Sequence, residues 1–183
     1  CAAFTAVDDC ETKEDMGNRV NGVAVGYLAK AAEVQKIPIV HISTDYVFDG
    51  TKATPYAESA LPNPINIYGT SKLAGEYLTR QATRRWLIVR TASLFGKTGA
   101  RGKGGNFVET IIKKAKAHEP IKVVNNITMS PTYSRDAGNG LAALLRNRAT
   151  GVFHIANRGA CSWYEFAKTI SDIAELGNSV YPV

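Results

Sequence analysis

The feature that most constrains this chain is a short apolar run ending in hydroxyls and a carboxylate, followed by a loop and a helical pattern. Ile37, Ile39, Val40 and Ile42 lead into Ser43, Thr44 and Asp45. Such a run fits a buried parallel strand, predicted here over Ile37–Ser43. Asp49, Gly50, Pro55, Pro62, Asn63, Pro64 and Asn66 then break regular structure. A helix is predicted over Tyr68–Ala82, and its first turns carry Tyr68 and Lys72 four positions apart, on one face. In open α/β sheets, ligands bind at the carboxyl ends of the strands, where Ser43, Thr44 and Asp45 stand.

The chemistry of that set is specific. A phenol titrates near pH 10 and is a weak acid at neutral pH. An ammonium one turn away is expected to stabilise the phenolate and bring Tyr68 toward a working range. A hydroxyl from Ser43 or Thr44 can then hold a carbonyl oxygen against Tyr68. The combination suits reduction of a ketone by a nicotinamide.

The flanking segments alternate in the same manner. Val20, Val23, Tyr27, Leu28 and Ala31 follow helical spacing within a helix expected from about Asp15 to Gln35. Strands are predicted at Trp86–Thr91, Ile121–Val124 and Val152–Ile155. Helices are predicted at Asn106–Ala117, at Ser134–Arg146, and from a cap at Ser162 to about Leu176. The fold class is therefore α/β, a doubly wound parallel sheet.

Composition narrows the function classes. The chain has 183 residues, 45% of them hydrophobic, enough to bury a sizeable core. The formal charge of +6 fits a phosphorylated cofactor or nucleotide sugar. No basic stripe interleaved with aromatics points to nucleic acid. Cys1, Cys10 and Cys161 show neither CxxC spacing nor an even count, which places the chain in a reducing cytoplasm. No run has the length of a membrane helix, and no His, Cys and carboxylate cluster has zinc spacing, so no metal is expected.

STDYVFDG followed by PNPINIYGTSKLAGE resembles the extended short-chain dehydrogenase/reductase family. The similarity continues through AAFTAVDDCE, RTASLFG, GGNFV, SPTYSRDAG, GVFHIAN and SWYEFA, almost the whole chain. It implies a Rossmann-like sheet, incomplete at the N-terminus because the family's glycine-rich loop lies upstream. It also implies one NAD(P)-binding-type domain over 1–183, with substrate-side segments around 92–135 and 156–183.

The implied reaction is reduction of the C4 ketone of a dTDP-4-keto-6-deoxy sugar with NADPH or NADH. Tyr68, Lys72 and Thr44 would be catalytic. Ala2, Ala3, Phe4 and Ile42, with Tyr68 and Lys72, would line the cofactor. Thr44, Asp45, Ser93 and Asn106 would face the substrate. The implied partner is a nucleotide sugar, with room for a homodimer.

Several residues also have plainer readings. Asp45 suits a turn, and Asn106 suits a helix cap. Ser93 stands where the family has a tryptophan that packs on the sugar. The run Gly96–Gly102 matches glycine spacing of a dinucleotide loop, but no acid closes the next strand, so a basic loop near substrate phosphates is the preferred reading. Tyr164 and Lys168 repeat the Tyr-x-x-x-Lys spacing inside a late helix and are expected to pack there. His41 and His154 read as strand residues, and His118 as a helix C-terminal cation. A non-catalytic relative that regulates a partner enzyme, and a sister epimerase or dehydratase, are the alternative functions.

Overall fold

The computed structural model describes residues 3–99, 105–177 and 180–183. Two units emerge: Cys1–Thr91 with Gly140–Ile155, and Ala92–Asn139 with Ala156–Val183.

The first unit is built on strand β1 (Ile39–Thr44), which pairs in parallel with β2 (Trp86–Thr91). β2 pairs in parallel with β7 (Gly151–His154), giving the order β1-β2-β7. β2 is central and reads as a continuous apolar run for that reason. Leu87, Ile88 and Val89 are all buried. Helix α4 (Ile67–Ala82) makes the crossover between β1 and β2, and starts where the carbonyl of Asn66's side chain accepts from the N–H of Gly69 at 2.7 Å.

Before β1 the chain forms α1 (Val7–Thr12), α2 (Glu14–Gly17), a π-helical stretch (Asn18–Val23) and α3 (Ala24–Val34). The single helix expected over 15–35 is thus modified at its start, and α1 was not anticipated. The apolar stripe of this region is largely exposed. Tyr27 and Leu28 are 67% and 64% exposed, and Val23 is exposed too. The buried side is instead Asn21, Gly22, Val25, Gly26, Ala29 and Ala32. Small residues occupy it because α4 lies close by. A Cβ on Gly75 of α4 would fall 2.3 Å from the carbonyl oxygen of Asn21. Gly69 is constrained in the same way, since a Cβ there would stand 2.1 Å from the carbonyl oxygen of Tyr46.

The second unit contains β3 (Leu94–Phe95) and β6 (Thr132–Tyr133), which pair in parallel, and β5 (Thr128–Met129) and β8 (Cys161–Ser162), which pair antiparallel. β4 (Ile121–Val123) and β9 (Val180–Pro182) form a further parallel pair. Its core joins Ile111 and Ala115 of α5 (Phe107–Lys116) to Ala167 and Ile170 of α7 (Trp163–Ile173), with Ile121 and Val123 between. Both helices begin with a capping box, Asn106 with Glu109 and Ser162 with Glu165. Tyr164 packs against this core, as expected of the second Tyr-x-x-x-Lys pair. Helix α6 (Ser134–Arg146) has the predicted bounds.

Candidate active site

At the end of β1 the pleat sends successive side chains to different partners. Ser43 donates its hydroxyl to Oε1 of Glu76 at 2.6 Å. Thr44 caps a 3-10 turn (Asp45–Val47), its hydroxyl oxygen accepting the N–H of Tyr46 at 3.2 Å and donating to Asp45 Oδ1 at 3.0 Å. The Thr44 hydroxyl also acts on the phenol of Tyr68. Ser43 is thus turned to Glu76, whereas Thr44 stays at the strand end with Asp45 and the turn.

Tyr68 lies at the start of α4, its ring edge-on to Tyr46 with centroids 5.6 Å apart. Burial pushes its phenol up to about 12, with the charge of Asp45 adding to the rise and the Thr44 hydroxyl opposing it. The expected depression by Lys72 is not found. The ammonium of Lys72 donates to the carbonyl of Ile42 at 2.6 Å, and burial lowers Lys72 to about 8 against an opposing pull from Glu76. Burial also raises Asp45 above the ordinary carboxylate range.

Behind these groups lies a set of buried polar residues. Glu76 is wholly buried and receives Nε of Arg90 at 2.8 Å and Nη2 at 2.7 Å, a two-pronged charged contact. Burial alone would raise its carboxyl, but the bonds and charge of Arg90, with Ser43 and Arg80, bring it below the ordinary value. His41 is buried beside Lys72 and Gly75, and burial lowers it to about 4, leaving a neutral imidazole. Asn21 holds the backbone of Phe4 at both ends, accepting its N–H and donating to its carbonyl, each at 2.9 Å. The same amide donates to Ser71 Oγ at 3.0 Å, and Ser71 donates to the carbonyl of Tyr68 at 2.8 Å.

Thr44, Asp45, Ile42, Tyr68 and Lys72 thus come together, and Phe4 is tied through Asn21 and Ser71 to the backbone of Tyr68. Ala3 is exposed, and Ala2 lies outside the described residues. Ser93 and Asn106 belong to the second unit. Ser93 has φ 44°, in the left-handed region. Asn106 has its amide satisfied at both ends, by the N–H of Glu109 and the carbonyl of Gly96, so its capping role is realised. The loop after Gly96 falls partly outside the described residues. Among the described residues, no group of His, Cys and carboxylates could hold a metal, and no helix is long and apolar enough to cross a membrane.

Asn21, Glu76 and Arg90 were not singled out by the sequence. For Arg90 the one signal is a charge inside an otherwise apolar strand run; Asn21 and Glu76 carry none in the helical spacing.

Comparison with known proteins gives the family and the fold. The model of the RmlD substrate binding domain matches residues 1–183. The chain is 39% identical over 182 residues to spore coat polysaccharide biosynthesis protein SpsK of Bacillus subtilis, covering 100% of this chain and 62% of that one. It is 39% identical over 206 residues to a dTDP-4-dehydrorhamnose reductase of Burkholderia thailandensis, covering 100% of this chain and 67% of that one. A crystal structure of dTDP-4-dehydrorhamnose reductase from Bacillus anthracis in complex with NADP superposes with a TM-score of 0.94 at 40% identity. That superposition takes in 100% of this chain and 63% of the Bacillus anthracis chain. With the family model covering every residue, and with parallel strands and helices laid out as in these relatives, the chain belongs to the RmlD substrate binding domain family.

Proposed function

We propose that this chain carries the catalytic residues of an NADPH- or NADH-dependent reductase acting on the C4 ketone of a dTDP-4-keto-6-deoxy sugar. The observation that carries the reading is the placement of Thr44 at the end of a parallel strand, capping the turn whose Tyr46 ring meets Tyr68, with Lys72 one turn along α4 bonded to the carbonyl of Ile42. The names of the relatives, dTDP-4-dehydrorhamnose reductases among them, support the substrate class.

The donor set fits the nicotinamide side of a dinucleotide. Lys72 spends one of its three N–H donors on Ile42, which leaves donors for ribose hydroxyls. Phe4 has its backbone fixed by Asn21, as a segment lying along a cofactor requires. A reduced nicotinamide, when bound, supplies the hydride.

The residues of the chain manage the proton. With its phenol near 12, Tyr68 is fully protonated at neutral pH and is the acid of the pair. It gives its proton to the carbonyl oxygen as negative charge grows there. Thr44 turns its hydroxyl from Asp45 to the same oxygen and stabilises that charge. The tyrosinate that remains is favoured by the cationic Lys72 on the same helix face. Asp45, beside Thr44, is the group of this strand end that meets the sugar hydroxyls. The segments around 92–135 and 156–183 form the substrate-side part of the reading.

The cytoplasm is the setting that this reading favours, and the exposed Tyr27 and Leu28 of α3 would suit a homodimer. Fluorescence titration of the 183-residue chain with NADPH and NADH, followed by assays on keto sugars, tests the proposal. Saturable binding and ketone reduction support it in the simplest form. A full-length protein that binds either dinucleotide but reduces no 4-keto sugar refutes it.

A further inference from the structure

Two consecutive residues of β1 are gripped by α4. The carbonyl of Ile42 accepts from Lys72, and the hydroxyl of Ser43 donates to Glu76. The second grip touches no part of the proposed reaction. Ser43 and Arg90 are direct partners in the register of β1 and β2, and both aim at the carboxylate of Glu76. Ser43, Glu76 and Arg90 are 3%, 0% and 3% exposed. One carboxylate therefore fastens a helix to two adjacent strands at the level of the candidate site.

A buried ion pair is weak grounds for inferring stability, because apolar residues of equal volume commonly do as well. A reason beyond stability is needed, and Lys72 provides one. Its ammonium is buried and donates to the carbonyl of Ile42, and burial drives such a group toward the neutral form. Glu76 lies one turn further along α4 and is the charge that opposes this loss. The other groups facing this region do not replace it. His41 of β1 is neutral, Tyr68 of α4 is protonated, Arg90 of β2 is a like charge already paired with Glu76, and Arg80 reaches Glu76 at 3.5 Å. Asp45 bonds Thr44 and adds to the rise of Tyr68.

We propose that Glu76, clamped by Ser43 and Arg90, is a positioning residue that fixes the end of β1 against α4, holding the carbonyl of Ile42 on the Lys72 ammonium and its own carboxylate one helical turn from it. The proposal rests on the reductase reading for its effect on turnover, but not for its effect on Lys72.

The test uses the full-length protein and two readouts. NMR titration of the Lys72 side-chain carbon next to the ammonium follows its charge directly. Steady-state kinetics give kcat, KM and their pH profiles. Glu76→Gln is expected to move the Lys72 titration down by about one pH unit or more, and the alkaline limb of kcat with it. It is expected to lower kcat about tenfold or more, with KM changed less than about threefold. Glu76→Asp keeps the charge and shortens the reach, so it should fall between the two. If Glu76→Gln does not fold, Glu76→Asp decides by the same readouts.

A folded variant in which Lys72 titrates as in the parent and kcat is unchanged overturns the proposal, leaving the clamp purely structural. A shifted Lys72 in a protein that reduces no ketone upholds the clamp and refutes the reductase reading.

Discussion

Lys72 donates its ammonium to the carbonyl of Ile42 at 2.6 Å, across to the neighbouring strand, and not to Tyr68 on its own helix. The lysine therefore secures the end of β1 with its positive charge. That charge is held in a buried place, with Lys72 brought down to about 8 by burial.

One consequence is a pH limit. As pH rises through about 8, Lys72 loses its proton and the tyrosinate loses its supporting cation. We predict that kcat for ketone reduction falls on the alkaline side of that value. A kcat profile flat to pH 10 would contradict it.

The same burial has a stability cost. The unfolded chain holds the Lys72 proton up to its ordinary value of 10.5 and the native chain only to about 8. The unfolded state thus binds more protons between these values, and stability rises with pH across that window. Lys72→Met removes this penalty, of order 3 kcal/mol, and sacrifices the bond to Ile42, worth about 1 kcal/mol. Its thermal midpoint at pH 7 should rise while turnover is lost. Scanning calorimetry of the variant checks this.

His41 works in the acid direction. Its native value of about 4 lies below its ordinary 6.5, so the unfolded state again binds more protons between the two. Stability present above pH 6.5 is lost as pH falls toward 4. His41→Leu, which cannot titrate, should flatten the dependence of the denaturant midpoint over that interval. An unchanged slope would rule out His41 as its source.

Gly75→Ala sets a Cβ where the carbonyl oxygen of Asn21 is 2.3 Å away. Backbone must move, so we predict a loss of about 2–3 kcal/mol in urea unfolding, as for other overpacked interiors. A variant within about 0.5 kcal/mol of the parent would show that the helices do not approach so closely.

The sequence disclosed the parts of this molecule that depend on local pattern. The Trp86–Thr91 strand has its predicted limits because a central strand opens on a buried apolar run, Leu87 to Val89, and Ser162 starts α7 because its hydroxyl and Glu165 form a capping box. The trio Thr44, Tyr68 and Lys72 was legible because strand end, loop and helix follow one another along the chain. The partners of that trio were not. Asn21 meets Phe4 and Ser71, and Glu76 meets Ser43 and Arg90, only after α4 has crossed the sheet. The buried face of α3 is likewise set by a tertiary contact and not by its apolar spacing. A close crossing selects small residues, so Gly22, Gly26 and Ala29 turn inward and Tyr27 and Leu28 outward.

The most direct test of the account is Tyr68→Phe in the full-length protein, assayed for reduction of a dTDP-4-keto-6-deoxy sugar alongside NADPH and NADH binding. Phenylalanine keeps the ring against Tyr46 and removes only the acidic hydroxyl. Turnover is predicted to fall about a hundredfold or more, the scale of a lost general acid, with dinucleotide affinity largely kept. Turnover at the parent rate would contradict the assignment of Tyr68 as proton donor, and with it the central claim.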